Sequence, residues 1–360
     1  MSQLKSLRVL NFGYKFDQKL TGLSELASLE ELRFGYHFNK DLGDISKLGK
    51  LRVLKFGDKF DQELKGLSNL TSLEDLRFGD DFKKEVGDMS KFQNLRVLAF
   101  GEKFNQELKG LSNLTSLEEL QFGEDFNRKI ENISKLDKLR VLEFGNRFDN
   151  VVPGLSKLAS LEELRFGEDF TKGLEDMSQL KSLRLLGFGD RFNNALPGLE
   201  GLTSLEKMYF GDDFDTALTG LSGLKSLREL YFGLGFNQNL DGLSTLENLI
   251  FLDLTGNFNK NVSNQLPASL EILDFGSQFK NGGQPLELKT CCNLRKVYFG
   301  EIFDLDVSET FCHGEQSNLR HIRFGENFTN GGHMDKLKSA FSPENSRETS
   351  SSGLFYNHPS

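Results

Sequence analysis

The sequence lacks the features that mark membrane-spanning, secreted and disulfide-rich proteins. No stretch approaches the roughly 18 consecutive apolar residues that a membrane-spanning helix needs. The first residues, Met1 to Lys5, contain no basic segment followed by an apolar core, so no secretory signal is visible. The 3 cysteines are too few for a disulfide framework. We therefore expect a cytoplasmic protein with reduced cysteines.

The chain also lacks an excess of positive charge. Its formal net charge is -9 and its isoelectric point is near 5.3. Binding to the phosphate backbone of nucleic acids needs clustered Lys and Arg side chains, and so does adhesion to anionic membranes. We therefore expect neither a nucleic acid nor a membrane as partner.

Signatures of catalysis and metal binding are missing as well. The sequence has no GxGxxG after a strand, no P-loop, no HExxH and no GxSxG motif. Acidic pairs such as Asp80-Asp81 alternate with mixed pairs such as Asp58-Lys59, which indicates a solvated, self-neutralised loop face rather than catalytic acids. One cluster suggests zinc, but adjacent cysteines rarely share one ion and no CxxC pair exists. We expect no enzyme, no cofactor and no metal at that cluster, which comprises Cys291, Cys292, Cys312, His313 and His321.

What the sequence does contain is a strict internal period. The dipeptide Phe-Gly returns every 22 residues from Phe12-Gly13 to Phe232-Gly233. A fixed period of this length is typical of a solenoid, in which each unit can bury its apolar face only against its neighbours.

The spacing of apolar residues within one unit changes part-way through. Leu23, Leu26, Leu29 and Leu32 are three residues apart, whereas Phe34 follows Leu32 by two. A spacing of two predicts a short strand with both side chains on one face. A spacing of three favours a 3₁₀ turn or extended chain over a full α-helix.

This pattern resembles a leucine-rich repeat. The form LxxLxxLxxLxF is similar to the short repeats of bacterial internalins, and FGxxFN, with Leu266 to Leu270 ahead of Phe275-Gly276, resembles FNIP repeats. The resemblance covers about residues 4 to 332. The chain departs from these patterns by placing Phe on both sides of the Gly and by lacking the Pro that often follows FNx in FNIP repeats.

The resemblance implies an α/β leucine-rich-repeat fold, mostly parallel β with 3₁₀ or irregular convex segments. We expect a curved, right-handed solenoid of about 15 units. FNIP-repeat proteins resemble adaptors, which implies protein binding without catalysis.

Three ladders are predicted to fix the stacking of the units. Two Phe ladders, starting at Phe12 and Phe16, should stack in the core. A ladder of Asn or Asp residues starting at Asp17 should accept hydrogen bonds from loop amides. The second strand position alternates between Arg and Glu from Arg8 and Glu30 onward, so opposite charges should face each other along the sheet in a 44-residue tandem unit.

The pattern divides the chain into regions. Residues 1–335 are predicted to form the solenoid, with strict period to about residue 259 and irregular repeats over 260–335. Residues 336–360 are predicted to be a disordered tail because Ser, Pro, Asn and Glu dominate there. Core positions begin at Leu4 without a polar cap, which leaves an open sheet edge.

The concave sheet face is the candidate binding surface. The third and fifth positions of each predicted strand segment should point there, and aromatic residues gather on consecutive strands of the second half. We expect a protein-protein interaction scaffold whose partner contacts that face. The alternatives are a structural protein that self-assembles through its N-terminal edge, and a lyase or hydrolase, for which no convergent carboxylates are seen. The predicted binding residues are Tyr209, Tyr231, Phe251, Asp253 and Tyr298.

Overall fold

A computed structural model describes residues 4–307, 309–312 and 317–329. The predicted tail, 336–360, lies outside these residues. The described chain contains one parallel sheet of 15 strands in sequence order. Its strands are β1 (Val9–Asn11), β2 (Glu31–Arg33), β3 (Val53–Lys55), β4 (Asp75–Arg77), β5 (Val97–Ala99), β6 (Glu119–Gln121), β7 (Val141–Glu143), β8 (Glu163–Arg165), β9 (Leu185–Gly187), β10 (Lys207–Tyr209), β11 (Glu229–Tyr231), β12 (Phe251–Leu254), β13 (Ile272–Phe275), β14 (Lys296–Tyr298) and β15 (His321–Arg323).

Each unit pairs with the next in the register that the sequence period dictates. Leu32 pairs with Leu54, and this middle residue is buried while the first and third residues of the strand are half-buried. Because side chains alternate along a strand, the middle residues face the core and the first and third residues face outward. We call the outward side the open face, and the residues in third position from Asn11 to Arg323 the third-position row.

The predicted Phe ladders fill the core and stack along the solenoid. Ring centroids are 5.4 Å apart for Phe34 and Phe56, and 6.0 Å apart for Phe38 and Phe60. Strands in a sheet are about 4.8 Å apart. The ring spacing therefore widens with distance from the sheet, as it does in a solenoid that curves with its sheet inside. Sequence reasoning missed that the two ladders also stack on each other: Phe34 and Phe38 are 4.0 Å apart.

The turns opposite the sheet alternate between two types. A 3₁₀ helix at Leu23–Glu25 follows Gly22, whose φ is 74°, whereas the next unit uses the Asp44 side chain to accept from the Ser46 N–H at 2.9 Å. This alternation confirms the 44-residue unit. It ends in the second half, where 3₁₀ helices occupy successive units. The 3₁₀ helices span Leu23–Glu25, Leu67–Asn69, Leu111–Asn113, Leu155–Lys157, Leu199–Gly201, Leu221–Gly223, Leu243–Thr245 and Asn281–Gly283.

Glycine in the Phe-Gly dipeptide is required by close approach between units. A Cβ atom on Gly57 would lie 2.4 Å from the carbonyl oxygen of Gly35 in the preceding unit. Such contact is with backbone, which cannot move aside. The repeated Phe-Gly dipeptide therefore reflects the close backbone packing of successive units.

The polar ladders are confirmed. The side-chain oxygen of Asp17 accepts from the Asn39 N–H at 2.8 Å, and Asn39 in turn accepts from the Asp61 N–H at 3.0 Å. In the row of Arg and Glu residues that stand directly before the strands, Arg8 donates two hydrogen bonds to the Glu30 carboxylate at 2.8 and 2.7 Å. The same two-bond pairing recurs at Arg52–Glu74, Arg96–Glu118 and Arg140–Glu162.

One expectation about the cysteines is wrong. Cys292 and Cys312 form a disulfide with a Cα–Cα distance of 5.3 Å, so these two residues are not reduced thiols in this structure. Cys291 is a buried free cysteine, and burial raises the pKa of its thiol. Cys292 and Cys312 lie in the irregular repeats, where the 22-residue period no longer indicates which loops are close together.

Candidate functional site

Charged side chains on the first half of the open face are paired with one another. Asp75 on β4 accepts from Lys55 on β3 at 2.6 Å and from Arg77 on its own strand at 2.9 Å. Farther along, Arg165 on β8 forms an ion pair with Glu143 on β7. This half of the face is therefore largely neutralised by its own contacts.

An aromatic stack replaces these ion pairs on the next strands. Tyr209 on β10 and Tyr231 on β11 are register partners, and their ring centroids are 4.6 Å apart. Phe251 on β12 lies 4.8 Å from Tyr231 although it occupies the first strand position, so this contact runs diagonally. All three side chains are half-buried. The rings thus expose part of their area on one continuous surface, which we call the aromatic stack.

Neighbouring polar groups hold the aromatic stack in place. Lys207 forms an ion pair with Glu229 at 2.9 Å, and the Tyr231 hydroxyl donates to the same carboxylate at 3.0 Å. Burial, followed by the nearby Glu229 charge, raises the pKa of Tyr231, so the phenol stays protonated and can donate. Burial likewise raises the pKa of Tyr209. The aromatic stack therefore presents uncharged rings, and an ion pair and a hydrogen bond hold the polar groups beside them in place.

Two carboxylates lie side by side next to the stack. Asp253 on β12 and Asp274 on β13 are register partners in the third-position row. Burial, and then the Asp253 charge, raises the pKa of Asp274 to about 7, while Arg323 opposes the shift. Asp274 is not among the predicted binding residues, because neither its burial nor the neighbouring charge is visible in the repeat pattern.

The structure brings four of the five predicted binding residues close together and places Tyr298 farther away. Tyr209, Tyr231 and Phe251 form one stack, and Asp253 is beside it in the row. Tyr298 pairs with Asp274 on the far side of the two carboxylates, and its ring is 5.4 Å from that of His321. Their part in binding stays a prediction.

No other kind of site competes with this surface in the described residues. No group of three or more His, Cys, Asp or Glu side chains there could hold a metal ion, and His313 of the sequence cluster lies outside that part. None of the helices in the described residues is both long and apolar enough to cross a membrane. A shallow cavity of about 590 Å³ lies among turns at Lys65, Lys84 and Gln106, away from the open face.

The parallel sheet, one strand per unit, and the 3₁₀ turns opposite it decide the fold. The chain has the fold of a leucine-rich-repeat solenoid. Solved structures of such proteins superpose on it. The structure of LRR protein LIC12759 from Leptospira interrogans has a TM-score of 0.70 at 19% identity and covers 96% of this chain and 93% of its own. The functional domain of InlJ from Listeria monocytogenes, which includes a cysteine ladder, has a TM-score of 0.65 at 19% identity, covering 94% and 73%.

Another solved structure has a higher sequence identity to this chain than these two. CroV588, described as a novel circular LRR protein, is 27% identical with a TM-score of 0.55 over 90% of this chain. This chain spans only 54% of CroV588. No family model and no curated protein matches the sequence. The resemblance to FNIP repeats therefore stays a prediction.

Proposed function

We propose that this leucine-rich-repeat solenoid is a non-catalytic scaffold that binds a protein partner through its concave, open face. The aromatic stack carries the proposal. Tyrosine and other aromatic side chains are enriched at energetic centres of protein interfaces, particularly when rigid and surrounded by polar groups. Tyr209 and Tyr231 meet both conditions because they stack on each other and Glu229 holds the Tyr231 hydroxyl.

The chemistry of the face favours a protein over other partners. TLR13, a solved structure in complex with ssRNA13, has a TM-score of 0.59 to this chain at 19% identity. Here the basic residues of the open face, such as Lys55 and Arg77, are paired with carboxylates, and the net charge is -9. Phosphate groups would therefore find few free cations. The cytoplasmic location stays a prediction, and the disulfide argues against it, since such bonds are rare in a reducing cytosol.

The test is affinity capture from an extract of the native source with wild type and Tyr209→Ala plus Tyr231→Ala in parallel. Tyr14→Ala plus Tyr36→Ala is the matched control, because those two tyrosines also stack, at 5.0 Å, but lie in loops outside the strands. We expect a partner that wild type and the control retain and the double variant loses. Equal capture by all three proteins would contradict binding at the aromatic stack.

Self-assembly through the N-terminal edge is the second candidate. In the described chain β1 pairs on one side only, and Leu4 and Val9 are 52% and 46% exposed. A second copy stacked on this edge would cover them. Sedimentation over a range of concentrations tests this: mass should rise with concentration in wild type and not in Val9→Lys, which places a charge on the edge.

A further inference from the structure

The third-position row is interrupted directly beside the aromatic stack. Gly187 on β9 is the register partner of Tyr209 on one side and of Arg165 on the other. The open face therefore lacks one side chain between an aromatic ring and a long, flexible cation. Glycine in a strand interior often marks a position where another molecule comes close.

Neither backbone conformation nor packing requires a glycine at this position. Gly187 is not among the residues with positive φ, and a Cβ atom there would come no closer than 3.9 Å to Arg165 Cγ and 4.0 Å to Leu185 Cδ2. Both distances are ordinary contacts with side chains. At Gly189, two residues later, the same atom would be 2.4 Å from the backbone of Gly167. Gly189 is thus needed by the fold, whereas Gly187 is not.

The missing side chain leaves a position that one planar group can occupy when the neighbouring side chains of Arg165 and Leu185 move aside. Strands in a sheet are about 4.8 Å apart, so Tyr209 and Arg165 flank a gap one strand wide. Rings in the aromatic stack are 4.6 and 4.8 Å apart, which is the same rise. A ring placed over Gly187 would therefore continue the stack at its own spacing. Gly187 itself is buried, and the atoms nearest to a Cβ on it belong to Leu185 and to the flexible stem of Arg165, so an incoming ring displaces side chain rather than backbone.

We propose that the gap at Gly187 is a slot for one aromatic side chain of the protein partner, which enters as the fourth ring of the stack. This inference rests on the proposed function. The flat walls of the slot select the occupant. Tyr209 forms one wall, and a ring over Gly187 stacks on it at the spacing of the aromatic stack. Arg165 forms the other wall, and its charge is already paired with Glu143 and Glu163, so stacking rather than charge favours an aromatic ring over a lysine or arginine side chain.

The experiment uses N-acetyl-tryptophanamide as the probe. The chain contains 0 Trp residues, so indole fluorescence reports the probe alone. Its fluorescence anisotropy is measured against increasing concentrations of wild type, Gly187→Tyr, Gly187→Leu and Ala99→Tyr. The last is the matched control, since Ala99 is a small residue at the same row position on β5, among non-aromatic neighbours. Circular dichroism melts show that each variant is folded.

Wild type and Ala99→Tyr should bind the probe weakly, at roughly millimolar concentration, as a single small ring does. Both Gly187 variants should bind at least about tenfold more weakly, because their own side chain fills the slot. N-acetyl-tyrosinamide should compete and N-acetyl-argininamide should not. Unchanged binding in folded Gly187 variants, or stronger competition by the arginine compound, would overturn the slot.

Failure of the slot is distinguishable from failure of the binding surface. If a captured partner is lost by Tyr209→Ala plus Tyr231→Ala but retained by Gly187→Tyr, the scaffold function stands and the slot is wrong. Loss of the same partner in both proteins, with Ala99→Tyr unaffected, supports the slot. Retention in every variant would refute both.

Discussion

Replacing Asp274 by Asn should stabilise the solenoid at neutral pH and leave it nearly unchanged in acid. Burial and the adjacent Asp253 raise the pKa of Asp274 to about 7, from an ordinary value of 3.8. The folded protein therefore holds this proton more tightly than the unfolded chain does. The contribution of Asp274 to the free energy of unfolding is therefore greatest below about pH 4, falls as the pH rises to about 7, and is level above that.

The size of the effect follows from the shift. The difference between about 7 and 3.8 is about 3 pKa units, and each unit corresponds to about 1.4 kcal/mol, which gives about 4 kcal/mol in full. Asp274 keeps some contact with solvent, and its surroundings relax around the charge. We therefore expect about half of this, about 2 kcal/mol, for Asp274→Asn at pH 8 relative to wild type.

Urea unfolding at about pH 4 and about pH 8 measures this difference, with a carboxyl titration followed by NMR to obtain the pKa directly. Asp137→Asn is the matched control, because Asp137 is an exposed carboxylate on a turn. The control should change stability equally at both pH values. An Asp274→Asn protein whose gain in stability over wild type is the same at pH 4 and pH 8, or an Asp274 that titrates near its ordinary value, would refute the argument.

Three further predictions concern the Phe core, the row of Arg and Glu pairs, and the disulfide. Phe148→Ala should cost about 3–5 kcal/mol in urea unfolding, because Phe148 is fully buried and its ring lies 3.9 Å from the other Phe of its unit. Arg140→Glu should lower the melting temperature slightly more than Arg140→Gln does, because it places a carboxylate between Glu118 and Glu162; equal melting temperatures in the two variants would contradict the pairing. Reducing the Cys292–Cys312 disulfide, which closes a separation of 20 residues, should destabilise the last repeats by about 3 kcal/mol, seen as faster proteolysis after reduction, and equal rates would contradict it.

The repeat period was sufficient to predict the strands. The residues predicted to face outward, such as Tyr209 and Tyr231, are register partners in the structure because parallel pairing follows directly from the 22-residue offset. The same offset predicted the Arg and Glu pairs and the Asn ladder. In a solenoid each unit contacts only its neighbours, so one period specifies most of the contacts.

Other features could not be read from the period. The disulfide joins Cys292 to Cys312 where the spacing is irregular, so the sequence does not indicate that their loops meet. The raised pKa of Asp274 depends on burial by neighbouring strands, which residue type alone does not reveal. The sequence shows a glycine at position 187, but only the interatomic distances around Gly187 show that packing does not require a glycine there.

The core residues stay nearly the same along the chain while the residues on the open face change, so the open face is not dictated by the fold. Leu230 on β11 and Phe232 directly after it occupy the same buried positions as Leu54 on β3 and Phe56 directly after that strand. Between these strands the turn alternation ends, and the third-position row changes from paired charges to the aromatic stack. The tyrosines are therefore not needed to build a repeat, since earlier repeats form the same strand with Lys or Arg in that position. The tyrosines and Gly187 thus lie beside each other on the open face although the fold requires neither, and this is the reason for proposing that a partner binds there.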